Sequence, residues 1–219
     1  MSTRAIFEPA QAGVTAPQRV LLLPPAYSQP EDFLQAGFAE AVRTRGLELD
    51  LVFVEARLMT VTDRSILTHL HELLAEARAG GCTTLWLGGI SLGAYLALAC
   101  AECALRELDG LCLFAPYLGS HIVTQEIDRA GGLERWRPQE SGADEEERRI
   151  WSFIKAQARG PLPIHLGLGA DDRFGVRHRT LAAALPAESV DQVPGGHEWP
   201  VWRTLWERFL DARIQRPRD

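Results

Sequence analysis

The chain has 219 residues, 46% of them hydrophobic and 24% charged, enough apolar side chain for a full core within one ordinary domain, which excludes wholesale disorder. Its net charge of −6 argues against a nucleic-acid partner, and its basic residues, 22 arginines and the single Lys155, are scattered rather than clustered. No stretch approaches the roughly 18 consecutive apolar residues of a membrane-spanning helix, and Met1–Glu8 lacks the sustained apolar core of a secretory signal, so neither a membrane partner nor export is expected.

In chain order, Val20-Leu21-Leu22-Leu23 is a continuous apolar run stopped by Pro24-Pro25, the pattern of a strand buried on both faces. A helix is predicted from about Glu31 to Arg45, with Phe33, Leu34, Phe38, Ala41 and Val42 on one stripe and Gly46 as its stop. Leu49–Val54 reads as a second strand. Thr62-Asp63 is the expected cap of a helix striped with Ile66, Leu67, Leu70, Leu73, Leu74 and Ala77 and closed by Gly80-Gly81. A strand at Thr83–Leu87 leads into a helix at Leu92–Leu108, and Leu111–Ala115 and Pro163–Leu168 are the next strands. A helix from about Val176 to Leu185, a short strand Ser189–Val193 and a helix from about Pro200 to Ala212 complete the series.

Strand–helix alternation of this kind requires crossover connections, hence a three-layer α/β/α sandwich around a mostly parallel sheet of about six strands. The whole of 1–219 reads as one domain. Residues 117–160 break the rhythm with Gly131-Gly132, Pro138, Ser141-Gly142 and the charged run Asp144–Arg149. They are expected to form a crossover helix plus a lid-like excursion, with the charged run a solvated helix start.

The four cysteines, Cys82, Cys100, Cys103 and Cys112, lie in or beside apolar segments, which suits a reducing, cytoplasmic compartment. Cys100 and Cys103 form a C-x-x-C in mid-helix, and no second Cys or His pair stands at zinc spacing, so buried free thiols are expected and no metal or other cofactor.

The strongest chemical signal is Gly89-Ile90-Ser91-Leu92-Gly93, a G-x-S-x-G between a predicted strand and a predicted helix. A strand that reverses into a helix this abruptly leaves the serine in strained backbone with its hydroxyl exposed, the nucleophile elbow, and side chains at Gly89 and Gly93 would collide across the turn. The helix presents its amino end to the serine, making the Leu92 N–H a natural oxyanion donor. A serine hydroxyl needs a base, and the base an orienting acid. His197, in the loop Pro194-Gly195-Gly196-His197-Glu198 after the last strand, is placed to be the base. His69, His71, His165 and His178 fall inside regular elements, and His121 in the excursion is the remaining rival. Asp171 and Asp172 follow the strand before it, and composition does not choose between them; at least one is a turn-forming aspartate.

With the order Ser…Asp…His, the chain resembles the α/β-hydrolase fold family from Val20 to the final helix, and its brevity is similar to compact carboxylesterase- or thioesterase-like members lacking the first strands. The family's G-x-x-D at the strand end, here Gly169-Ala170-Asp171-Asp172, implies Asp172 as the acid. Where the family commonly has His-Gly for a second oxyanion donor, this chain has Pro24-Pro25-Ala26-Tyr27; proline has no N–H, so the resemblance shifts that donor to Ala26, or failing that Tyr27. The implied activity is hydrolysis of an ester or thioester of a small acyl substrate through Ser91, His197 and Asp172. An acyltransferase, a carbon–carbon bond hydrolase and a non-catalytic ligand-binding member are the alternatives. Tyr27, Tyr117 and Trp136 are candidate pocket residues that packing would equally explain, as it would Trp199 beside His197.

Overall fold

The computed structural model describes residues 3–57, 62, 64–138 and 144–214. Seven strands form one sheet: β1 (Ala5–Glu8), β2 (Gln18–Leu23), β3 (Leu49–Val54), β4 (Thr84–Ile90), β5 (Gly110–Phe114), β6 (Ile164–Gly169) and β7 (Val190–Val193). Their order across the sheet is β1-β3-β2-β4-β5-β6-β7, and every pairing is parallel except β1 with β3. The helices are α1 (Pro30–Gln35), α2 (Phe38–Thr44), α3 (Ser65–Ala79), α4 (Leu92–Ala104), α5 (His121–Arg129), α6 (Glu145–Gln157), α7 (Gly175–Ala182) and α8 (Trp199–Arg213).

β2, β3, β5 and β6 are apolar almost throughout because helices cover both faces of the sheet. One face carries α3 to α7 over a core that includes Leu21, Leu87, Leu113 and Leu166. The other carries α1, α2 and α8 over Val20, Leu22, Phe53, Phe114, Trp206 and Phe209. β3 and β4 lie on opposite sides of β2. The chain thus reverses its direction of travel between β2 and β4, and a crevice opens at their carboxyl ends. In register, Leu23 pairs with Gly89 and Ile90 with Phe114, so β2, β4 and β5 end at one edge of the sheet, as β6 and β7 do where Gly169 pairs with Val193.

Several features depart from the expectations drawn from sequence. A strand precedes Val20: β1 pairs antiparallel with β3, Ala5 opposite Val54 and Glu8 opposite Leu51. It has only four residues at the sheet's rim and leaves Phe7 49% exposed, so it carries little apolar signal. The helix expected at 31–45 is two helices, because Gly37 takes a left-handed φ of 79° between them and Arg203 of α8 donates to the carbonyls of Ala36 and Gly37. α3 begins after Arg64, itself at φ 62°, and Asp63 of the expected cap lies outside the described residues. Cys103 is exposed, unlike Cys82, Cys100 and Cys112, which are buried.

The 117–160 segment supplies α5 and α6, whose Val123, Ile127, Ile150, Trp151 and Ile154 are buried in the core together with Trp136. Ser141 and Gly142 lie outside the described residues. Arg148 at the head of α6 is 7% exposed and pairs with Glu126 of α5 at 2.6 Å, and Glu147 accepts hydrogen bonds from the amide and hydroxyl of Ser120. The acidic-basic run therefore fastens α6 to α5 and is not merely a solvated helix start.

Candidate active site

Ser91 stands between the last residue of β4 and the first of α4, at φ 54° and ψ −113°, a conformation that costs a non-glycine residue about 1–3 kcal/mol. Four backbone hydrogen bonds hold it there. Its amide donates to Phe114 O at 3.0 Å, and its carbonyl accepts from the amides of Ala94, Tyr95 and Tyr117 at 3.1, 3.2 and 3.0 Å. A Cβ on Gly89 would lie 2.5 Å from the Gly93 carbonyl carbon, and one on Gly93 would lie 2.5 Å from Leu23 C and 2.7 Å from Pro24 O. The first turn of α4 thus rests directly on the backbone where β2 ends. The loop carrying Ala26 leaves from that point, and the Leu92 amide opens the helix. First-turn amides have no partner inside a helix and favour negative charge. Ala26 is exposed, and Tyr27 beside it is fully exposed at φ 65°.

His197 Nδ1 lies 2.7 Å from Asp172 Oδ2. The other carboxylate oxygen of Asp172 accepts the Phe174 amide at 2.8 Å. Burial works to raise the pKa of this carboxyl, but the hydrogen bonds from His197 and the Phe174 amide outweigh it and hold the group below the usual carboxylate range. Asp172 is therefore an anion at neutral pH, and His197 Nδ1–H donates to it. Two aromatic edges clamp the ring: Phe174 at 5.1 Å and 84°, and Trp202 at 5.0 Å and 86°. Tyr117, whose amide is bonded to Ser91 O, has its ring 6.1 Å from that of Phe174.

No protein-family model matches the chain, and no curated protein matches its sequence. Solved structures do match. S-formylglutathione hydrolase from Staphylococcus aureus superposes with a TM-score of 0.63 at 11% identity, over 92% of this chain and 83% of that one. The fluorophosphonate-binding serine hydrolase F of the same organism gives 0.64 at 8% identity over 95% and 97%. A soluble variant of monoglyceride lipase from Saccharomyces cerevisiae gives 0.59 at 13% identity over 96% and 92%. The chain has the α/β-hydrolase fold.

Within this α/β-hydrolase fold the two neighbouring aspartates play different parts. Asp171 exchanges hydrogen bonds with Gly195, its amide donating to Gly195 O at 2.9 Å and its Oδ2 accepting the Gly195 amide at 3.2 Å, so it pins the loop that carries His197. Asp172 is the one that meets the imidazole. His121 is an exposed residue at the start of α5. His178 is buried, with Nε2 3.0 Å from Pro116 O, and burial lowers its pKa, so it is neutral and donates to that carbonyl.

Trp136 is a core residue at 2% exposure. Trp199 packs edge-on against Phe33, Phe38 and Trp202, and the ring that touches His197 is Trp202. Phe174 and Trp202 were not recognisable as site residues from sequence; the spacing Asp172-x-Phe174 was the one available hint. A cleft of about 740 Å³ lies between α5, α6 and α7, and its lining includes none of Ser91, Asp172 and His197. Among the described residues no three His, Cys, Asp or Glu side chains are grouped to hold a metal ion, and no helix is long and apolar enough to cross a membrane.

Proposed function

We propose that this chain is a serine hydrolase that cleaves a carboxylic ester or thioester of a small acyl substrate. The observation that carries this reading is the 2.7 Å Asp172–His197 pair at the same sheet edge as a serine held in strained strand-to-helix backbone. The fluorophosphonate-binding serine hydrolase among the structural neighbours agrees with it.

In this mechanism His197 Nε2 takes the Ser91 hydroxyl proton as Oγ attacks the acyl carbonyl. Asp172 holds the imidazole in its Nδ1–H tautomer and stabilises the imidazolium. The Leu92 and Ala26 amides donate to the oxyanion of the tetrahedral intermediate. The imidazolium then returns its proton to the departing alcohol or thiol, leaving Ser91 acylated. Water attacks that acyl-enzyme with His197 again as base, releasing the acid.

The test is labelling with a fluorophosphonate together with turnover of p-nitrophenyl butyrate. Wild-type protein is expected to label once, at Ser91, and to release p-nitrophenolate, with both signals lost in Ser91→Ala. Release at equal rates from both proteins, or no labelling of the wild type, would overturn the reading in favour of a ligand-binding member.

A further inference from the structure

The segment that follows Asp172 reads Arg173-Phe174-Gly175-Val176-Arg177-His178-Arg179. The protein carries 29 acidic residues against 23 basic ones, and most arginines meet a carboxylate, as Arg45 meets Asp211, Arg78 meets Asp109 and Arg203 meets Glu207. Arg173 and Arg177, like Arg106, Arg129, Arg135 and Arg179, do not, and what sets these two apart is their place beside Phe174. Among the described residues neither has a carboxylate within ion-pair distance; each lies instead over the Phe174 ring, at 4.9 and 5.8 Å from its centroid. The carboxylates next in the chain are both engaged, Asp171 with Gly195 and Asp172 with His197. Two like charges four residues apart at a helix start repel each other, and a bound anion would relieve that repulsion. The pair stands beside His197. The same Phe174 ring touches His197 at 5.1 Å, so a single aromatic ring separates each guanidinium group from the base.

We infer that the substrate of the Ser91 site carries an anionic group, a carboxylate or a phosphate, close to its scissile bond, and that Arg173 and Arg177 bind it across the face of Phe174. This rests on the hydrolase reading above and adds the substrate class. One ring's separation suits a short acyl chain ending in an acid, or a leaving group that bears one. Guanidinium groups recognise both anions through paired N–H donors, and the ring beneath holds them in place.

The experiment compares wild type, Arg173→Gln/Arg177→Gln and Arg173→Lys/Arg177→Lys on three esters. These are p-nitrophenyl butyrate, which is neutral, mono-p-nitrophenyl glutarate, charged on the acyl side, and 3-carboxy-4-nitrophenyl butyrate, charged on the leaving group. For one charged ester, the ratio of its kcat/KM to that of the neutral ester is expected to fall roughly 10- to 100-fold in the glutamine variant, to recover partly in the lysine variant, and to decline with added salt in wild type. Which charged ester responds tells acyl from leaving-group recognition. Ratios that are equal in wild type and the glutamine variant for both charged esters would overturn the inference while leaving the hydrolase intact.

Calorimetric titration with glutarate and with inorganic phosphate is a second readout that does not depend on turnover. Binding of either by wild type, weakened at least tenfold in the glutamine variant, supports the site and identifies the preferred anion. If no ester is turned over, the hydrolase reading fails on its own, and absence of both anions' binding to wild type then overturns this inference separately.

Discussion

Gly93→Ala tests whether the end of β2 and the start of α4 are built against each other. The added Cβ would overlap Leu23 O and lie 2.5 Å from Leu23 C and 2.7 Å from Pro24 O. These are main-chain atoms at and just past the end of β2, where Leu23 is paired with Gly89 of β4, so no flexible side chain can swing away. Relief requires the strand end or the helix to shift by roughly an ångström. Overpacking of this kind costs about 1–3 kcal/mol, and with only backbone to yield the upper end applies. For a chain of this size about 3 kcal/mol lowers Tm by about 6–12 °C. The same shift separates the Leu92 amide from the loop of Ala26. Turnover of p-nitrophenyl butyrate at 25 °C, where the variant remains folded, should therefore fall about 100-fold. Gly175→Ala is the control for stability: its Cβ would meet only Arg179 Nη1, at an ordinary 3.5 Å, and Tm should stay within a few degrees. Thermal melts followed by circular dichroism, with p-nitrophenolate release, measure both effects. A Gly93→Ala protein that melts with wild type and turns over at the wild-type rate would refute the close approach and the oxyanion geometry built on it.

Asp172→Asn should lower kcat about 10²- to 10⁴-fold, because the amide no longer fixes the imidazole tautomer or stabilises its charged form. The native carboxyl is held below its ordinary pKa, so its stabilisation is present above the unfolded value of about 3.9 and is lost as pH falls through the folded one. Urea melts should accordingly show a wild-type advantage over Asp172→Asn that is constant above about pH 4 and closes in stronger acid; an advantage independent of pH would contradict this. His165, 1% exposed in β6, has its pKa pushed down to about 4 by burial, with the Asp191 carboxylate 3.5 Å away opposing the shift only in part, so at pH 7 the two do not form an ion pair. Below about 6.5 the unfolded chain takes up a proton that the native state refuses, costing about 1.4 kcal/mol per pH unit down to about pH 4. His165→Leu should flatten that slope in urea melts between pH 6.5 and 4, and equal slopes in the two proteins would show that the imidazole charges inside the fold.

Strands buried on both faces were legible because each is a run of apolar residues that neighbouring turns cut off sharply, as Pro24-Pro25 cuts off Val20–Leu23. The Ser91 turn was legible because strand, glycines and helix are all local to it. What escaped depends on distant partners. Nothing within 31–45 indicates that Arg203, far along the chain, will cap a break at Ala36 and Gly37. β1 owes its existence to pairing with β3, and its own four residues alternate too briefly to register. Asp171 and Asp172 are equivalent to a reader of composition; a one-residue step along the turn sends the first to Gly195 and the second to His197. Phe174, just before α7, and Trp202 of α8 converge on His197 by tertiary packing alone.

The reciprocal Asp171–Gly195 hydrogen bonds make the stretch from β6 to the start of α8 a closed cassette, in which His197 and Asp172 travel together. Ser91 belongs to a different cassette, β4 with α4, and in the sheet β5 lies between the two. The hinge pin between them is the end of that middle strand: Phe114 O receives the Ser91 amide, the Ala115 amide donates to Gly167 O at 2.8 Å, and Ala115 itself is bent to φ 44°. Fine adjustment of the gap between serine and imidazole is thereby delegated to a small residue that is fully buried and takes no part in proton transfer. A substitution in that seam would accordingly move Ser91 against His197 while Ser91, His197 and Asp172 themselves stay as they are.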